Sequence, residues 1–258
     1  MKLAISGKGG VGKTTLAAAL ARQFAAEGRH VFAVDADPDS NLAATLGFPN
    51  PERIVPLAEL KDVIRERVGE RGGLYTMNPR VEDIPEKHCP EWQGIRLAVM
   101  GGVRAAGSGC MCPENTFVRA LLRHLVVHGT DVVIADMEAG IEHLGRGTAM
   151  GVDAFLVVVQ PTRTSVQTAL RVRDLAAGLG VRGVYAVGNR LTGDEDRAWL
   201  RQNLEGMEIV GTLGHSDALA HSRGVLVADS QFDREVAEVR RAVDERVAAL
   251  RAQAAPPS

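Results

Sequence analysis

Short apolar runs that end in glycine or aspartate recur along this chain, separated by stretches of helical periodicity. The runs predict strands at Lys2–Ser6, His30–Asp35, Ile95–Met100, Asp131–Asp136, Ala154–Gln160, Val184–Gly188 and Glu208–Leu213. Apolar positions three and four apart predict helices at Lys13–Glu27, Val55–Val68, Pro113–His128, Thr164–Leu179 and Asp194–Leu204. Continuous apolar strands alternating with helices predict a three-layer α/β architecture, a mostly parallel sheet of about seven to eight strands with helices on both faces. Gly69–Trp92 has weak periodicity and several prolines, and reads as surface structure. The last helix, Phe232–Ala252, lines up Phe232, Val236, Val239, Val243, Val247 and Leu250 on one face. Its five acids and five arginines cancel. Membrane-surface helices favour Lys and Arg, so this face is expected to pack on the sheet.

Composition narrows the class. At 258 residues the chain suits a single α/β domain over 1–258, with 254–258 as a frayed tail. A net charge of −2 and 4% aromatic residues argue against a nucleic-acid partner. No apolar run approaches the roughly 20 residues of a membrane span. Strand one begins at once, without a leader pattern, so the expected location is the cytoplasm. Three cysteines there suggest metal or redox chemistry rather than a disulfide framework.

Gly7-Lys8-Gly9-Gly10-Val11-Gly12-Lys13-Thr14 stands between a strand and a helix. In such a loop, backbone N–H groups and the helix N-terminus cradle phosphates. Lys13 would reach the terminal phosphates, and the Thr14 hydroxyl would hold Mg²⁺. Thr15 completes the expected nucleotide-binding stretch. Gly7, Gly9 and Gly12 also satisfy a dinucleotide fingerprint, with Asp35 placed like a ribose ligand. The Lys13-Thr14 pair decides for triphosphate and Mg²⁺, because a dinucleotide needs neither residue. Lys8 is a second cation that a plain P-loop does not require.

Further polar groups end the other strands. Asp37 could order the attacking water or a Mg²⁺ water, and Asp37 or Asp39 could instead cap a short helix after Pro38. Asp136 ends an apolar strand, the usual source of a second Mg²⁺-shell carboxylate, acting through water. Asn189, followed by Arg190, could read the N6/N7 edge of adenine, or be a turn asparagine with positive φ. Together the K-G-G-V-G-K-T loop, the D-A-D-P segment, Asp136 with Ala139-Gly140, and Asn189 resemble the deviant Walker A ATPases, the MinD, ParA and nitrogenase iron-protein group. The resemblance implies a P-loop NTPase fold, ATP hydrolysis to ADP, and a homodimer in which Lys8 reaches the partner's nucleotide.

Cys110-Met111-Cys112-Pro113 stands at a predicted helix start, where the positive helix end favours thiolates. Two thiolates cannot close a four-coordinate site, but a twofold axis near them supplies the pair twice. Four thiolates suit Zn²⁺, an Fe–S cluster or Ni²⁺. This stretch and the run Asp136–Gly147 resemble the CooC family, ATPases that mature the nickel site of carbon monoxide dehydrogenase, with relatives that serve acetyl-CoA synthase. The resemblance implies Ni²⁺ or Zn²⁺ at Cys110 and Cys112 across the dimer, and an apo-dehydrogenase client. An iron–sulfur electron-transfer ATPase would need a second cluster cysteine where Ala139 stands. A MinD/ParA-type positioning ATPase would show a membrane helix or a basic DNA surface. Cys89 is an accessory ligand or incidental. Glu138, Glu142 and His143 link nucleotide to metal, or only cap and pair.

Overall fold

The computed structural model describes residues 1–69, 76–101, 113–128, 132–138 and 151–254, with backbone alone at 127, 128 and 254. Its strands are β1 (Lys2–Ser6), β2 (Val31–Ala36), β3 (Glu91–Trp92), β4 (Ile95–Val99), β5 (Val132–Met137), β6 (Ala154–Val159), β7 (Val184–Leu191) and β8 (Glu208–Gly214). They form one eight-stranded sheet in the order β3-β4-β2-β5-β1-β6-β7-β8. Every pairing is parallel except that of β3 with β4. The helices are α1 (Lys13–Ala26), α2 (Leu42–Leu46), α3 (Lys61–Arg67), α4 (Ile84–His88), α5 (Pro113–His128), α6 (Arg163–Gly178), α7 (Asp194–Asn203), α8 (Asp217–His221) and α9 (Ser230–Ala254).

Alternation along each strand divides the core into two. Leu3, Ile5, Ile134, Leu156 and Val158 meet Leu16, Leu20 and Phe24 of α1 and Val236, Val239 and Val243 of α9. Ala4, Val133, Ala135, Phe155 and Val157 meet Phe117 and Leu121 of α5 and Val166, Ala169 and Val172 of α6. Both faces of the strands are therefore covered, which is why β5 and β6 are buried along their whole length. Helix α9 packs on the sheet as its apolar face predicts. Each of its buried valines contributes about 1.5–3 kcal/mol, by the cost of leaving it exposed.

The expected helix Val55–Val68 divides in two. A 3₁₀ turn, Leu57–Glu59, follows extended Pro56, and α3 starts only after Leu60. The Ala58 N–H donates to the Met100 carbonyl at 3.1 Å, so this backbone is tied to the end of β4 rather than to a helical turn. The segment expected to be irregular holds α4 and the two-residue β3.

Central β1 has β5 on one side and β6 on the other. From β1 the chain goes on to β2 on the β5 side, and after β5 it resumes at β6 on the other side of β1; ligands of open α/β sheets bind at such a switch point, beyond the carboxyl ends of the strands. Residues 7–13, 35–41, 136–138, 160–164 and 189–190 all lie at or beyond strand ends on that side of the sheet.

Candidate nucleotide-binding site

The loop after β1 has the backbone its glycines predict. Gly7 has φ +144°, and a Cβ there would stand 2.5 Å from the Val158 carbonyl oxygen. Gly12 has φ +99° and precedes α1; a Cβ there would collide with the Asn189 amide. No side chain caps α1, and no acid occupies its first turn. Its first N–H groups have no intrahelical acceptors, so the positive helix end is open to an anion.

Both loop lysines are held by the chain's own groups. Lys13 is 6% exposed, and its ammonium lies 3.8 Å from an Asp37 carboxylate oxygen. Phosphate oxygens that recruit Lys13 would release Asp37 for other work. Lys8 is exposed, and its Nζ donates to the Thr164 hydroxyl in the first turn of α6 at 2.9 Å.

Two carboxylates lie side by side beneath the loop, Asp35 paired in register with Asp136 across β2 and β5. Asp35 is fully buried and accepts the N–H groups of Leu42 at 2.9 Å and Asp37 at 3.3 Å. Burial nevertheless pushes its pKa up to about 6. Asp136 is 1% exposed, and neither carboxylate oxygen has a hydrogen-bond partner among the described residues. Its pKa is pushed up to about 7, first by burial and then by the charge of Asp35. The Thr14 hydroxyl comes close enough to oppose this shift, as does Lys13, without completing a hydrogen bond.

A buried carboxylate without a hydrogen-bond partner among the described residues, with the Thr14 hydroxyl near it, is a set of hard oxygen donors that fits Mg²⁺. Thr14, Asp136 and Asp37 are the residues that would hold it. When bound, the ion supplies charge neutralisation at the bridging and terminal phosphate oxygens.

Asp37 and Asp39 do not cap the helix after Pro38. Asn41 precedes α2 without a side-chain cap bond, and buried Asp35 accepts the Leu42 N–H instead. Asn189 is 7% exposed. Its Nδ2 donates to the Val11 carbonyl at 2.6 Å, and its Oδ1 accepts the Arg190 N–H at 2.8 Å. It thus braces the phosphate loop from β7, and an adenine could use only its remaining hydrogen and lone pair. The positive φ falls on exposed Arg190, not on Asn189.

Cys89 belongs to the core. It is 6% exposed, and burial pushes its thiol up to about 12, so it stays protonated and is a poor metal ligand. Glu138 is exposed, and its carbonyl accepts the Ser6 hydroxyl. Cys110, Cys112, Ala139, Gly140, Glu142 and His143 lie outside the described residues. Among the described residues, no three His, Cys, Asp or Glu are grouped to hold a metal ion.

A cavity of about 310 Å³ lies at the opposite end of the sheet, lined by His30, Glu82, Glu86 and His124 among others. It has no phosphate loop, so the chemistry places the site at the carboxyl end.

Residues 2–227 match the CbiA model, the CobQ/CobB/MinD/ParA nucleotide-binding domain. The chain belongs to this nucleotide-binding family. Within the CobQ/CobB/MinD/ParA family it is a CooC-type ATPase. It is 42% identical over 225 residues to the carbon monoxide dehydrogenase accessory protein CooC of Rhodospirillum rubrum, covering 85% of each chain. It is 39% identical over 249 residues to an ATP-binding protein of Methanocaldococcus jannaschii, covering 93% of this chain and 96% of that one. In fold it resembles MinD in the MinC:MinD cell division complex of Aquifex aeolicus, with TM-score 0.69, 22% identity, and 95% and 96% of the two chains covered. The chain is an ATP-hydrolysing member of this nucleotide-binding family. No helix among the described residues is long and apolar enough to cross a membrane.

The D-A-D-P segment points to Asp37, and from the sequence Asp35 has only the place of a ribose ligand, not that of a buried carboxylate beside Asp136. Its signal was a carboxylate ending a run as apolar as Val31–Val34. Nothing in the sequence pairs Thr164 with Lys8.

Proposed function

We propose that this CooC-type ATPase is a dimerising metallochaperone that delivers nickel to apo carbon monoxide dehydrogenase. The observation that carries the reading is the 42% identity to a protein named as an accessory of that dehydrogenase. Cys110-Met111-Cys112 supplies the metal chemistry, since a twofold dimer turns two soft ligands into four. A maturation ATPase for acetyl-CoA synthase would use the same residues on another client.

ATP enters with its phosphates on the N–H groups of Gly9 to Thr14 and the start of α1. Lys13 turns from Asp37 to the terminal phosphates, and Asp37 orients a water. In-line attack joins the water oxygen to the γ-phosphorus and breaks its bond to the β–γ bridging oxygen, which leaves on ADP, while a proton of the water passes to an oxygen of the released phosphate. Lys8 of the partner subunit stabilises the charge that develops, as an arginine finger does. Asn189 holds Val11, and with it the loop, against this reorganisation. Closure joins the Cys110 and Cys112 thiolates around Ni²⁺ or Zn²⁺, and hydrolysis loosens the dimer so that the metal can pass on. Nucleotide and metal then strengthen each other's binding, by linkage.

Anaerobic Ni²⁺ titration, with and without a nonhydrolysable ATP analogue and read together with oligomer mass, tests this. The expected result is one metal ion per two chains, bound more tightly with the analogue. The Cys110→Ser/Cys112→Ser variant should keep nucleotide and lose the metal. Full retention of metal by that variant rejects the site, and intense visible absorption of the anaerobic protein would point to an iron–sulfur cluster.

A further inference from the structure

We propose that Thr164 is a positioning residue that keeps Lys8 within its own protomer until a nucleotide-loaded partner takes the ammonium. This rests on the reading that Lys8 acts across the dimer. The observation is the 2.9 Å hydrogen bond from Lys8 Nζ to Thr164 Oγ1, which joins residues 156 positions apart. Thr164 follows β6, and Lys8 follows β1 beside it. The bond therefore bridges two neighbouring loops at the nucleotide end of the sheet.

The chemistry of the contact makes it a weak hold. Its acceptor is a neutral hydroxyl, not a carboxylate. Thr164 is the second residue of α6, after the cap Thr162, whose hydroxyl accepts the Ser165 N–H. That places the Lys8 charge at the positive end of a helix, where cations are disfavoured. No acid occupies the first turn of α6 to offset this. Lys13 is held differently, buried and against a carboxylate. The loop thus stores one lysine for its own nucleotide and keeps the other on a contact that phosphates outcompete. The latch orients the free protomer and sets how much partner is needed to close the dimer. A closing dimer breaks the contact twice, once in each protomer. An exposed hydrogen bond worth roughly threefold per contact becomes roughly tenfold in the dimerisation constant.

Three variants give opposite signs. Thr164→Val keeps the shape and removes the acceptor. Thr164→Ser keeps the hydroxyl. Thr164→Asp places a carboxylate at the helix start, where it is favoured and would grip Lys8. ATPase rate is measured against protein concentration, and dimer dissociation by sedimentation with a nonhydrolysable ATP analogue. Thr164→Val should lower the half-activating concentration roughly tenfold by the same estimate, moving that concentration rather than the plateau. Thr164→Ser should match the unaltered protein, and Thr164→Asp should need more protein. In the Lys8→Ala background, Thr164→Val should leave the sedimentation constant unchanged, because no latch remains. An unchanged or raised half-activating concentration for Thr164→Val overturns the latch, as does an effect that persists without Lys8. Full turnover by Lys8→Ala would instead overturn the action of Lys8 in trans, which is a separate failure.

Discussion

Two aspartates flank the central strand, one at each end. Asp153 stands just before β6, and Asp136 is near the end of β5; both strands pair with β1. Asp153 accepts the Lys2 N–H at 2.8 Å and a two-pronged contact from Arg251 of α9 at 2.8 and 2.9 Å. Asp136, one strand length away, accepts nothing among the described residues. The first carboxylate is satisfied by the fold itself. The second is left for groups that arrive from outside. A buried polar group without a partner costs about 1–3 kcal/mol, and more when charged. Of these two carboxylates, the one at the nucleotide end of the sheet is left open and the one at the opposite end is closed by its contacts.

The largest effect belongs to the open end. Lys13→Ala removes the cation that lies 3.8 Å from Asp37 and that the proposed mechanism gives to the terminal phosphates. The expected loss in kcat is about 10²–10³-fold, the usual scale for one preorganised charge at a developing oxyanion. Apo stability should change little, because an Asp37 that is 21% exposed regains water when its partner is removed. A steady-state assay beside thermal unfolding checks both. An active Lys13→Ala variant would mean that the loop binds nucleotide without catalysing.

Asp136→Asn should separate function from stability. Hydrolysis is expected to fall by about 10²-fold, since the carboxylate is the oxygen donor beneath the loop. The apo protein should gain stability, because the variant never carries the unpartnered charge. The raised pKa of about 7 gives the sign. Stability from this group is full below the ordinary carboxylate range and is lost as pH rises through about 7. Asp35, raised to about 6, acts in the same direction. Above pH 7 the variant should be more stable by on the order of 2 kcal/mol, a rise in Tm of about 4–8 °C. At pH 4 the difference should vanish. An apo protein whose Tm does not fall from pH 4 to pH 8 would show that Asp136 has a partner after all.

The contrast also explains what the sequence made legible. Each expected strand is present, because strands buried on both faces read as unbroken apolar runs, and the phosphate loop is present because only glycine fits at Gly7 and Gly12. The pieces around Pro56 were not legible, because Ala58 bonds to a strand end, a tertiary contact that periodicity does not carry. The helix contact that the sequence offers to Asp37 or Asp39 belongs instead to Asp35, seven residues before Leu42. Asn189 was read for its base-pairing edge, while in the fold its amide grips the Val11 carbonyl. Long-range polar contacts such as Lys8 with Thr164 leave no periodic trace.

The smallest effect tests the closed end. Asp153→Ala removes the acceptor of the Lys2 N–H and of Arg251. Arg251 is 61% exposed, so its ion pair contributes little. The loss that counts is the hydrogen bond from the Lys2 N–H, a net cost of about 1 kcal/mol and a fall in Tm of about 2–4 °C. Because Asp153 lies a strand away from the phosphate loop, kcat and the Mg²⁺ requirement should be those of the unaltered protein. Pairing Asp153→Ala with Asp136→Asn makes the comparison direct. The sites share no partner, so their stability effects, one negative and one positive, should add. A marked departure from additivity, or a loss of turnover from Asp153→Ala alone, would show that the two ends of β1 are coupled rather than divided between structure and chemistry.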